Sequence, residues 1–138
     1  MKTIISISLV LLLASCAKGV SKEDLVYIDG YWEIEKVKFP DGQTKEYSVN
    51  ATVDYFEVTD MAGYRKKVQP LLDGSYQTSD DAENFTIHES NGDLLFRYKN
   101  NLSEWEEKIT LLTTTQCVFV NQEQITYYYK RYEPLNLE

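Results

Sequence analysis

The chain has 138 residues, a formal net charge of −8 and two cysteines. A chain of this size holds one hydrophobic core and has no room for a second full domain. Its 22 acidic side chains against 14 basic ones exclude nucleic acid as a partner, because phosphates would repel it, and leave no basic patch to grip anionic lipid.

Met1-Lys2 leads into an apolar run over residues 4–13 and then into Ala14-Ser15-Cys16. A positive start, a short apolar stretch and small residues before a cut point mark a cleaved secretory signal, and the run is shorter than the ~20 residues of a spanning helix. Leu13-Ala14-Ser15-Cys16 resembles the lipobox of bacterial lipoproteins. That resemblance implies cleavage before Cys16 by signal peptidase II, a diacylglyceryl group on the thiol and acylation of the new amino group. The expectation is a signal peptide over residues 1–15, a lipidated cysteine and short tether over residues 16–26, and one domain over residues 27–138. The domain is then held by its acyl chains to the outer membrane of a cell, facing periplasm or surface.

Where the tether ends, Asp24-Leu25-Val26-Tyr27 fits a short helical turn or an entry segment. From Gly30 the chain reads as short strands separated by turn chemistry. Trp32 and Ile34 alternate, then Val37 and Phe39 take the opposite parity, which a bulge near Glu35-Lys36 would reconcile. Pro40-Asp41-Gly42 turns the chain into expected strands over residues 44–49 and 52–59, the second rich in β-branched and aromatic residues. Ala62-Gly63 is the next expected turn, followed by residues 64–68, a hairpin at Asp73-Gly74, and a polar loop over residues 79–84. Phe85-Thr86-Ile87-His88 and the segment after Asn91-Gly92 form a hairpin, since that dipeptide suits a type I′ turn. Glu104-Trp105-Glu106-Glu107-Lys108 alone passes for helix, but the β-branched run after it argues for a strand. The last hairpin pairs residues 117–120 with 125–132 and stops at Glu133-Pro134, because proline cannot extend a ladder. Consecutive hairpins with no long crossover predict an all-β fold, a small antiparallel up-and-down β-barrel of about eight strands.

Gly30-Tyr31-Trp32 opens the first strand and Lys130-Arg131 closes the last. This pairing resembles the lipocalin superfamily. The resemblance implies that Trp32 packs across the closed end of the barrel with a basic residue over its indole. Arg131 is preferred to Lys130 because it shares parity with Tyr129 and Tyr127. With the lipobox, and with Trp105, Cys117-Val118-Phe119-Val120 and Tyr127-Tyr128-Tyr129, the chain is similar to the lipocalin-like lipoproteins of Bacteroidetes. It is shorter than larger lipocalins and shows no amphipathic helix after the barrel.

No catalytic set stands out, and the chain is read as a non-enzyme without cofactor or metal. Cys117 lies in an apolar strand and reads as a small buried side chain; His88 is the lone histidine, and no nucleophile motif surrounds either residue. Asp80, Asp81 and Glu83 lack the spacing of a calcium loop and read as a solvated tip. Arg65-Lys66-Lys67 reads as a solvated strand edge. Eleven tyrosines suit strands, and equally suit a ligand lining or a contact surface, with Tyr128 and Tyr132 as candidate contact residues. The leading expectation is carriage of a small hydrophobic ligand against Phe56, Phe85, Phe96 and Tyr129 inside the barrel; the alternative is an accessory module docking onto an outer-membrane protein complex.

Overall fold

A computed structural model describes residues 19–134; the signal, Cys16 and the tether's first residues lie outside them. A 3-10 turn, Lys22–Tyr27, comes first. Ser21 and Asp24 set it: the Asp24 carboxylate accepts from both the amide and the hydroxyl of Ser21, at 3.0 and 3.1 Å. Ten strands follow: β1 (Gly30–Lys38), β2 (Thr44–Glu46), β3 (Val53–Thr59), β4 (Ala62–Pro70), β5 (Tyr76–Thr78), β6 (Glu83–Ser90), β7 (Asp93–Lys99), β8 (Glu104–Leu112), β9 (Gln116–Asn121) and β10 (Thr126–Arg131). Every pairing is antiparallel. Eight strands close a ring in the order β1-β3-β4-β6-β7-β8-β9-β10, with β10 returning to β1. The fold is the expected all-β barrel with two short strands added: β2 pairs with the second half of β1, and β5 with the second half of β4.

Period-2 alternation decides which side chains enter the barrel. In β7, Leu94, Phe96 and Tyr98 are buried while Arg97 and Lys99 face water. Two strands keep this inward set over nine residues only by slipping one residue. In β1 the register shifts between Ile34 and Lys36, at the expected bulge, so Val37 comes to lie beside Tyr127. In β8 it shifts between Ile109 and Leu111, which brings Leu112 back inside.

Four local expectations are corrected. The β3–β4 turn is Asp60-Met61, both at positive φ, rather than Ala62-Gly63. Gly63 is instead a strand residue with no room for a side chain: a Cβ there would sit 2.0 Å from the Glu57 carbonyl oxygen. The strand expected over residues 44–49 stops at Glu46; beyond it the Tyr47 amide makes one more bond to β1, to the Glu35 carbonyl at 3.0 Å, and the Asn50 side-chain amide takes the Ile34 carbonyl at 3.0 Å. The loop expected over 79–84 gives up its last two residues to β6, where Glu83 pairs with Arg65. Arg65 is no solvated edge: it shares the inward parity of its partner Phe56, and its side chain is largely buried.

Candidate functional site

The closed end is built around Trp32, which is fully buried and donates from Nε1 to the Ile28 carbonyl at 2.8 Å. Arg131 lies over the indole with its guanidinium carbon 3.9 Å from the ring centroid. The guanidinium also donates to the carbonyls of Tyr27, Asp29 and Thr114, at 2.5, 2.9 and 3.1 Å. It thereby ties the entry turn and the β8–β9 turn to the barrel floor. Gly30 is required beneath it: its φ is +116°, and a Cβ would meet the Arg131 guanidinium at 2.8 Å.

The structure brings Phe56, Phe85, Phe96 and Tyr129 together inside the barrel, at 0, 3, 0 and 8% exposure. Phe85 is in ring contact with Phe56 and Phe96, and Tyr129 joins them through Phe119. Phe85 meets Phe96 at 4.8 Å and Phe56 at 6.3 Å between centroids. Phe119 fills the axis among Phe56, Phe96 and Tyr129, at 5.7, 5.1 and 6.3 Å. Those separations are the ordinary packing distances of aromatic pairs. Tyr98 adds a further ring against Phe85 and stacks flat on Trp105.

A polar layer covers this plug. Arg65 stands over the rings of Tyr98 and Phe56, 4.9 and 5.9 Å from their centroids. It pairs with Glu83 at 2.6 Å on the neighbouring strand and with Glu107 at 3.6 Å on β8. Burial alone would lower the Arg65 pKa, but Tyr98, Glu107, Tyr129 and Glu83 outweigh it and the net shift is upward, so the side chain stays charged. Burial pushes the Glu107 carboxyl up, and Arg65 opposes that shift. The Tyr98 hydroxyl is buried with no hydrogen-bond partner, and burial pushes its pKa well up. Next to this layer a cleft of about 340 Å³ runs between Trp105, Glu107, Asn121 and Tyr127. None of Arg65, Glu107 or Tyr98 was marked as a site by the sequence; the lone clue was an arginine at a position with inward parity.

The tyrosines divide between inside and outside. Tyr31 stacks on Tyr76 with centroids 4.0 Å apart and planes within 4°, and Tyr132 meets Tyr76 edge-on at 6.4 Å. This clasp holds the β4–β5 hairpin against β1. Tyr55 and Tyr64 both donate to one oxygen of Glu57, at 3.1 and 2.6 Å. Burial and then that bond push the Tyr55 pKa up to about 12. Tyr128 faces outward with the Lys36 ammonium 4.4 Å over its ring. Beside the clasp lies a crevice of about 430 Å³ lined by Val49, Pro70, Leu71, Leu72 and Tyr132, with Glu33 and Glu133 also on its walls.

Cys117 and His88 are not brought together: Cys117 is in the core cluster with its thiol pKa pushed well up by burial, and His88 contacts Thr86 on the face of β6 away from buried Phe85 and Ile87. Among the described residues no group of three or more His, Cys, Asp and Glu is placed to hold a metal ion, and no helix is long and apolar enough to cross a membrane.

No protein-family model matches the sequence, and no curated protein matches it. Among solved structures the chain is similar to a lipocalin-like protein from Bacteroides uniformis, with 10% identity, 77% of this chain and 99% of that chain covered, and a TM-score of 0.48.

Proposed function

We propose that this chain is a lipid-anchored, non-enzymatic domain of the cell envelope that acts as a docking module, its barrel a rigid support for contacts made on the outside. The observation that carries the reading is the filled axis: Phe56, Phe85, Phe96 and Phe119 are at most 3% exposed and touch one another. A lipid-sized guest would have to displace several of these rings, each with about 1.5–3 kcal/mol of burial behind it. The crevices at Leu72 and at Tyr128 open outward instead. The acyl chains on Cys16 would hold the domain at the outer membrane and bring it to a membrane-protein complex.

The second reading, carriage of a small hydrophobic ligand, has the barrel class in its favour and the unpartnered Tyr98 hydroxyl beside Arg65 as a polar anchor. Native mass spectrometry of the protein, offered phospholipid and fatty acid, separates the two. Docking predicts a mass without adduct; a reproducible one-to-one lipid adduct overturns it in favour of the carrier. Replacing Cys16 with alanine tests the anchor on its own: the variant should leave the membrane fraction and lose the acyl mass.

A further inference from the structure

The proposed docking needs a face, and the crevice beside the β4–β5 hairpin has features that folding does not demand. Leu72 sits at the tip of the turn and Val49 in the β2–β3 loop, and each is 89% exposed. The turn itself is made by its other residues. Gly74 supplies a φ of +85°, Asp73 accepts from the Ser75 amide at 2.9 Å, and the Leu71 and Ser75 backbones close the loop at 2.8 Å. A polar residue at position 72 would serve that turn better.

Both walls of the crevice are held in place. The hairpin is clamped by Tyr76 on Tyr31, and Asn50 ties the opposite loop to the Ile34 carbonyl. A partner therefore meets apolar groups already fixed in position, which lowers the ordering cost of binding. The charge of the lining is one-sided: Glu33 and Glu133 contribute carboxylates, and among the described residues the lining contains no lysine or arginine.

Resting on the docking reading, we infer that this crevice receives an extended peptide segment of a partner protein, with one or two apolar side chains set against Leu71, Leu72 and Val49 and a Lys or Arg facing Glu33 and Glu133. The same carboxylates on a chain of net charge −8 disfavour an anionic membrane surface as the occupant.

The test starts with random heptapeptides displayed against the full chain in detergent. A synthetic peptide of the enriched sequence is then titrated by fluorescence anisotropy against wild type and against Leu72→Asp, Val49→Asp and Glu133→Lys. The two exposed positions can change without touching the core, and circular dichroism checks that each variant is folded. Enriched peptides should join apolar residues to Lys or Arg. Leu72→Asp should weaken binding at least tenfold, and Glu133→Lys should weaken it and flatten its salt dependence. Peptides that bind all variants equally overturn this face while leaving docking intact. Failure to enrich any peptide overturns the proposal, as does Leu72-dependent binding to phosphatidylglycerol vesicles, or self-association abolished by Leu72→Asp. A lipid adduct in the native mass spectrum overturns the docking reading itself, independently of these outcomes.

Discussion

Phe119→Ala tests whether the barrel is filled. Phe119 is fully buried and meets Phe56, Phe96 and Tyr129, so three rings lose a neighbour at once. In a packed core the loss combines the transfer of the ring with the cavity it leaves, about 3–5 kcal/mol for Phe→Ala. Against a total of about 5–15 kcal/mol for a domain, that is a large share of its stability. With a urea slope of about 2 kcal/mol/M the unfolding midpoint should fall by about 2 M. Trp32, buried at the floor, and Trp105, stacked on Tyr98, give the fluorescence signal. If the rings instead lined an open calyx, no new cavity would form and about 1.5–3 kcal/mol of transfer would be the upper limit. A loss below about 2 kcal/mol would therefore refute the filled axis and, with it, the main support for docking. The variant offers a second readout. A dry cavity lined by Phe and Tyr rings should take up benzene and recover part of the lost stability, whereas wild type should not respond.

Three further outcomes follow from the site and the strand geometry. Burial raises the Glu107 pKa from 4.5, so the folded protein holds that proton more tightly than the unfolded chain. Its contribution to stability is then complete below the ordinary value and lost as pH rises through the raised one. Wild type should gain stability relative to Glu107→Gln as pH is lowered from neutrality towards 4.5, and a pH-independent difference in urea midpoints would contradict this. Gly63→Ala places a Cβ 2.0 Å from the Glu57 carbonyl oxygen and 3.0 Å from Phe85, so the β3–β4 backbone must shift. It should cost about 1–3 kcal/mol, where an alanine in an open strand would stabilise; an unchanged melting temperature would show the clash is relieved. Arg131→Met keeps apolar contact with Trp32 but removes the cation and three donors to carbonyls. A loss of about 2–4 kcal/mol is expected by thermal unfolding, and a neutral result would mean water replaces all three bonds.

The fold was legible where the rule is local. Alternation in β7, the Asn91-Gly92 turn and the parity switch after Ile34 each need only neighbouring residues, and each appears in the structure. The Asp60-Met61 turn was missed because composition pointed to the only nearby glycine. That glycine was needed for another reason, a close approach of the Glu57 carbonyl that no sequence pattern displays. Arg65 was misread for a related reason. Its neighbours Lys66 and Lys67 made it look like part of a solvated run, yet alternation alone placed it on the Phe56 side. What keeps it inside is Glu107, forty-two positions further along, and Glu83 on the adjacent strand. Leu72 has a local signal of its own: Pro70-Leu71-Leu72-Asp73-Gly74 sets two leucines in a turn that asks for neither.

The location of polar groups links these observations. A barrel meant to open around an apolar guest gains nothing from a charged arginine standing on its aromatic rings, because desolvating the guanidinium costs free energy unless partners answer it. Here they do: Glu83 and Glu107 balance Arg65, and the flat rings of Tyr98 and Phe56 lie beneath it. The arrangement closes the axis from the end opposite the floor, while Trp32 and Arg131 close the floor. Both ends of the barrel thus carry a cation over aromatic rings. Exposed apolar side chains that the core does not use, Leu72, Val49 and Leu102 among them, are on the outer surface. Under the docking proposal, contact made there would ask little of the core, so affinity should depend on a few exposed apolar groups and two carboxylates.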